Sequence, residues 1–274
     1  MNRYKIILLI FILPLILVGC ISPTIQQEIS PGNPLPEIDN PHTESPDIDN
    51  EIKPPTVTKP LAPLTPSINY DRLIEVKISS LKLYSNKKYI GTVYKNDLLP
   101  VLEENNKYYI TTFNHSIVYI EKNNNVAIKK LLKVDSKIEK VIDVAKKTIG
   151  TKYVYGAERY HYNGKLNYNF NKYYFDCSSL TQYAYFVGAN IKIGPNSRVQ
   201  SSEGRLVKKS NIRRGDLLFF TNSARKNNTG IERIGHVGIF LGDNLILHTS
   251  SDYAIIEPIS NTRWNYYISA KRYI

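Results

Sequence analysis

FDCSSLTQYAYFVG, residues 175–188, holds the one cysteine of the chain beyond position 20. Leu180, Tyr183, Ala184 and Val187 recur at helical spacing, so a helix is expected from Cys177 or Ser178 to Phe186, with Asp176 as N-cap and Gly188 as its stop. A thiol at a helix N-terminus faces unpaired backbone N–H groups and the positive end of the dipole, which favour its thiolate. Downstream, Leu217–Phe220, His236–Leu241 and Leu245–Ser250 read as strands, the last two joined by a turn at Gly242-Asp243-Asn244. A helix carrying a thiol against an antiparallel sheet carrying histidines is an α+β arrangement.

A thiol nucleophile needs a base, and the base needs a polar group to orient it. Of the five histidines, His42 lies in a proline-rich stretch, His115 in a surface turn and His161 in a tyrosine- and asparagine-rich loop, which leaves His236 and His248. Their spacing depends on hairpin register. With a loop at 242 and 243, His248 falls opposite Val237 and points away from His236; with the loop Gly242-Asp243-Asn244, it falls opposite Gly238 and shares a face with His236. In that second register Val237, Ile239, Leu241, Leu245 and Leu247 form the buried face.

Each of these residues also has a plainer reading. Cys177 is a buried core thiol, or a zinc ligand with His236 and His248, although their spacing is unlike a clustered zinc motif and no fourth ligand is evident. His248 is a hydrogen-bonded strand histidine, Asp176 a helix cap, and Tyr153 a core tyrosine.

Residues 1–20, MNRYKIILLIFILPLILVGC, place Arg3 and Lys5 before an apolar run that ends at Gly19-Cys20 and is short for a spanning helix. This reads as an export signal, and Leu17-Val18-Gly19-Cys20 resembles a bacterial lipoprotein signal, which implies lipidation at Cys20 and an extracytoplasmic, membrane-anchored protein. Residues 21–70 hold 11 of the 15 prolines, seven acidic residues and two lysines, the composition of an extended tether. Net charge is +2 in 1–20, −5 in 21–70 and +15 in 71–274. A basic body suits an anionic partner such as a cell-wall polymer. No arginine-rich helix or aromatic-interleaved motif supports nucleic acid.

Residues 71–130 read as short strands at Leu73–Ile78, Leu81–Tyr84, Tyr89–Val93, Leu98–Glu103, Tyr108–Phe113 and Ile117–Ile120, a small all-β barrel or sandwich. The run VKISSLKLYS, YIGTVYKNDLLPVLEENNKYYIT, VYIEKN resembles a bacterial Src-homology-3-like domain, without the usual Gly-Trp pair. Ser136-Lys137-Ile138-Glu139 then forms a capping box with Ser136 as N-cap, and Ile138, Val141, Ile142, Ala145 and Ile149 continue at helical spacing to Gly150. That helix opens a second domain over 135–274.

From about residue 137 to 274 the chain resembles the NlpC-type cysteine peptidases of bacterial cell walls. The resemblance lies in the opening helix, Tyr153-Val154-Tyr155-Gly156, FDCSSL, RRGDLLFF, GHVGIFLGD and LHTS. It implies a papain-like α+β fold, hydrolysis of the bond between γ-D-glutamate and a diamino acid in peptidoglycan stem peptides, and no metal or organic cofactor. By position, Cys177 matches the nucleophile, His236 the general base and His248 the orienting group. Tyr153 matches a tyrosine beside the nucleophile, and Asp176 and Ser178 match residues that in some relatives bind the free amine of the stem peptide. Tyr155, Ala157 and Ser179 depart from the family's usual Trp, Gly and Gly, and the loops 157–175 and 221–235 are long. Two other expectations compete with this one: a non-catalytic peptidoglycan-binding lipoprotein, and a thiol amidase or acyltransferase acting on another wall bond.

Overall fold

The computed structural model describes residues 69–249 and 252–274. The export signal with Cys20, the tether through residue 68 and His42 lie outside the described residues. Tyr70, the last residue assigned to the tether, opens the first strand.

Eight strands come first: β1 (Tyr70–Val76), β2 (Ser80–Ser85), β3 (Lys88–Tyr94), β4 (Leu98–Pro100), β5 (Glu103–Glu104), β6 (Tyr108–Phe113), β7 (Ser116–Glu121) and β8 (Val126–Leu132). Helix α1 (Ser136–Lys146) follows, then the short strands β9 (Lys152–Tyr153), β10 (His161–Tyr162), β11 (Lys165–Leu166) and β12 (Tyr174–Phe175). Helices α2 (Cys177–Ala189) and α3 (Ser197–Ser202) lead into β13 (Arg205–Val207), β14 (Leu217–Phe220), β15 (His236–Gly242), β16 (Leu245–Thr249) and β17 (Ala254–Pro258), and α4 (Asn261–Asn265) and β18 (Tyr267–Arg272) end the fold. The fold is mixed α+β, with helices against an antiparallel sheet. No helix among the described residues is long and apolar enough to cross a membrane.

The large sheet runs β13-β18-β14-β15-β16-β17-β4-β1-β8. It therefore joins strands from residues 70–132 to strands from 205–272, with Ile256 of β17 paired to Leu98 of β4. β8 and β17 were not anticipated: the Lys129-Lys130 pair interrupts alternation in β8, and β17 is a short apolar run ending in proline. The junction is sealed by the Tyr253 hydroxyl donating to the Thr92 carbonyl at 2.8 Å and by Phe113 packing edge-on against Tyr253. One apolar core, containing Leu73, Leu99, Ile142, Leu180, Val237 and Leu247, runs through both parts.

Helix starts and stops differ in detail from expectation. The N-cap of α1 is Asp135, whose carboxylate accepts from the N–H groups of Lys137 and Ile138, and Glu139 Oε1 accepts the Val134 N–H, one residue before the cap, at 3.1 Å. Gly188 is no stop: α2 runs on to Ala189 and caps at Asn190 in the left-handed conformation. A Cβ on Gly188 would lie 2.5 Å from the Val141 Cα, so glycine there lets α1 and α2 approach closely.

Glu139 also pairs with Arg214, which is 4% exposed. Arg214 reaches both Glu139 oxygens at 2.7 and 2.8 Å, Asp71 of β1 at 2.7 Å and the Leu241 carbonyl of β15 at 2.8 Å. Burial raises the Asp71 carboxyl, but Lys146 and Arg214 outweigh it and hold it below the usual carboxylate range. That contribution is present above the ordinary carboxylate pKa of about 3.9 and is lost as pH falls through the lowered value. Arg214→Ala leaves Glu139 without a cation and Asp71 with Lys146 alone, so it should lower unfolding free energy by roughly 3–5 kcal/mol, measured as a fall in urea midpoint at unchanged slope. A midpoint within experimental error of the parent's would refute this role.

Candidate active site

The start of α2 is built by Asp176. Its Oδ1 accepts the Ser179 N–H at 2.7 Å and the Ser178 hydroxyl at 2.9 Å, and its own N–H donates to the Ser179 hydroxyl at 2.9 Å. Ser179 thus closes a capping box that a glycine could not make. Cys177 is the first residue inside the helix, where the N–H groups of Cys177 and Ser178 have no partner four residues back. Parallel pairing of β12 with β9 puts Phe175 beside Tyr153, which brings Tyr153 next to the thiol.

The histidines come from the β15–β16 hairpin. Ile239 pairs with Leu247 and Gly242 with Leu245, which sets His248 opposite Gly238. The shared-face register therefore forms, but through a different loop: Asp243 and Asn244 alone make the turn, both with positive φ, and a bulge at Leu241 supplies the extra residue. The His236 and His248 rings meet edge to face, with His236 Nε2 and His248 Nδ1 2.9 Å apart. Gly238 makes the room, since a Cβ there would fall 2.5 Å from Ile246 and 2.9 Å from the His248 Cβ. The Val237 N–H, one residue from His236, is directed at the Cys177 thiol.

A cleft of about 720 Å³ opens over His236 and includes Tyr153, Phe220, Thr249, Glu257 and Arg263. His236 and His248 bond to one another instead of opening on a common centre, and among the described residues no group of three or more His, Cys, Asp or Glu side chains is placed to hold a metal.

Asp176 and Ser178 lie beside the thiol but are buried, and Asp176 Oδ2 accepts from Arg159 at 2.9 Å. Arg159 belongs to the long loop after Gly156, and its charge offsets a carboxylate that the sequence alone leaves unpaired. The other two described histidines, His115 and His161, have partners of their own. His115 meets the Lys172 carbonyl at 2.9 Å, anchoring the far end of that loop. His161 is buried in β10 against Phe186, not exposed in a loop.

Two further residues escaped the sequence reading. Glu257 Oε1 lies 2.9 Å from His248 Nε2, and Arg263 donates to the same oxygen at 3.1 Å. The signal for Glu257 is a single charge at the end of the apolar run Ala254-Ile255-Ile256, legible only once that run is known to pair with the His248 strand.

The electrostatics differ from the expected ready-made thiolate. Burial and the neighbouring Asp176 carboxylate push the Cys177 thiol up to about 12, against hydrogen bonding from the Val237 and Ser178 N–H groups and the charge of Arg159. Burial, then His248 and Arg263, hold His236 well below the usual imidazole range, and burial holds His248 down as well. The resting site is accordingly a neutral thiol beside neutral imidazoles. Alkylation of Cys177 by iodoacetamide should climb with pH through and beyond 8.5, the ordinary thiol pKa. A rate plateau already reached below pH 7 would show a preformed thiolate–imidazolium pair instead.

Residues 150–272 match the profile of the NlpC/P60 family. The Peptidoglycan DL-endopeptidase CwlO of Bacillus licheniformis is 36% identical over 92 residues, covering 33% of this chain and 19% of that protein. The Gamma-D-glutamyl-L-lysine dipeptidyl-peptidase of Bacillus cereus is 31% identical over 103 residues, covering 36% of this chain and 29% of that protein. The chain thus spans less than a third of the length of either relative. A solved NlpC/P60 family protein from Bacillus cereus aligns at 22% identity with a TM-score of 0.41, over 74% of this chain and 63% of that one. The thiol, the linked histidines and the match to the NlpC/P60 family profile all fall in one stretch, residues 150–272.

Proposed function

We propose that the protein is an exported, lipid-anchored cysteine endopeptidase of papain-like design that cuts peptidoglycan stem peptides at the bond between γ-D-glutamate and a diamino acid. The observation that carries this reading is the His236–His248 hydrogen bond, held on the strand whose Val237 N–H is directed at the Cys177 thiol. The cleft of about 720 Å³ opens over His236, the outer member of that pair. The names of the two relatives, a DL-endopeptidase and a γ-D-glutamyl-L-lysine dipeptidyl-peptidase, support the substrate class and the bond.

In this mechanism His236 takes the Cys177 proton as sulfur attacks the scissile carbonyl, and His248 orients the ring. The oxyanion is met by the backbone N–H of Cys177 or Ser178 at the helix start. His236 returns the proton to the leaving amine, and water, activated by the same imidazole, releases the γ-D-glutamyl acid from the thioester. Because thiol and imidazole both rest neutral, proton transfer accompanies attack. Tyr153 borders the nucleophile, and Asp176 and Ser178, the residues matched to binding of the stem's free amine, stand beside it. The basic body favours adsorption to anionic wall polymers, and the lipid on Cys20 holds the enzyme at the membrane.

Digestion of purified peptidoglycan followed by mass spectrometry tests activity and bond together. The full chain should release fragments ending in D-glutamate and starting with the diamino acid, and Cys177→Ala should cut the rate by at least about a thousandfold. Wall binding with no new amine ends would favour the non-catalytic lipoprotein. New ends at another bond would move the reading to an amidase or transferase.

A further inference from the structure

Glu257 is the one charged side chain of β17, and it is hydrogen-bonded to a histidine that is 1% exposed. A carboxylate only accepts hydrogen bonds, so the 2.9 Å contact between Glu257 Oε1 and His248 Nε2 is donated by His248. A neutral imidazole carries a single N–H, which leaves His248 Nδ1 bare. The 2.9 Å bond between His236 Nε2 and His248 Nδ1 is then donated by His236, and the free lone pair of His236 is on Nδ1. Three side chains on neighbouring strands form one directional chain that starts at a carboxylate.

We propose that Glu257 is the positioning residue for this site: it sets the tautomers of both histidines and supplies the negative charge that offsets the imidazolium formed when His236 takes a proton. The kinetic part rests on the peptidase reading above; the tautomer part does not.

The charges around the group support the assignment. Burial raises the Glu257 carboxyl, but its bonds with His248 and Arg263 outweigh this and hold it ionised. Arg263 of α4 donates to the same oxygen and its guanidinium lies over the Phe220 ring, so it opposes protonation of both histidines while keeping Glu257 charged. Tyr253 at the head of β17 and Asp97 before β4 also feel the Glu257 charge. Burial, with a smaller contribution from Glu257, raises the Asp97 carboxyl to about 6. On the thiol side the charged neighbours are Asp176 and Arg159. Arg263 and Glu257 thus oppose one another at His248, the ring bonded to His236.

The test uses the full chain with 15N-labelled histidine. Ring nitrogen spectra should show both His236 and His248 as Nε2–H tautomers above their titration range. The His236 titration should move to lower pH in Glu257→Gln, because the imidazolium loses its partner, and to higher pH in Arg263→Gln, because a repelling charge is gone. On peptidoglycan, Glu257→Gln should lose kcat by about 10- to 100-fold with KM little changed, the scale for losing the carboxylate behind a working histidine, and Glu257→Asp should recover part of it. An Nδ1–H tautomer at either histidine in the parent, or a His236 titration unmoved by Glu257→Gln, overturns the assignment. So does an acid limb of activity that persists in Glu257→Gln and vanishes in Asp97→Asn. If Glu257→Gln does not fold, the parent spectrum and Arg263→Gln still decide. A protein inactive on every wall substrate defeats the peptidase reading while the spectra continue to report on Glu257.

Discussion

The register of the β15–β16 hairpin is the constraint from which the site follows. Side chains alternate along a strand, so a slip of one residue would turn His248 to the opposite face and end its bond to His236. Two features hold the register. The bulge at Leu241 absorbs one residue ahead of a two-residue turn whose positive φ values suit Asp243 and Asn244, and Gly238 leaves the space beside the His248 Cβ. The apolar face formed by Val237, Ile239, Leu241, Leu245 and Leu247 closes on the core under α2, which fixes the strand pair against the helix that carries the thiol.

Around that frame, the protein environment favours the neutral forms of the thiol and both imidazoles. Packing around the half-buried Cys177 and His236 and the buried His248 disfavours their charged forms. The ionised groups are held one step away: Asp176 with Arg159 behind the thiol, Glu257 with Arg263 behind the histidines. Each carboxylate is matched by an arginine, so neither side of the site carries an uncompensated charge.

The same economy operates at larger scale in the joint between the first strands and the rest. Arg214 satisfies Glu139 of α1, Asp71 of β1 and the Leu241 carbonyl at once, and β4 pairs with β17. Because β17 carries Glu257, the strands from residues 70–132 buttress the element that supports His248. The anchoring of the long loop by His115 works in the same direction on the Arg159 side.

Much of this was legible in residue order because it is local. Asp176 as cap, the helix after it, the apolar alternation of the hairpin and the pairing of His236 with His248 all depend on contacts within a few residues or on strand periodicity. The sequence by itself determined which thiol and which two histidines were available, and that they could share a face. Only the tertiary structure decided what stands behind them. Arg159 reaches Asp176 from a loop with no periodic signal, Glu257 reaches His248 through a strand pairing, and Arg214 meets Asp71 from 143 residues away. The thiol's proton affinity is not legible in residue order for the same reason: a helix dipole is a local property, whereas the desolvation that outweighs it is produced by the elements packed around Cys177.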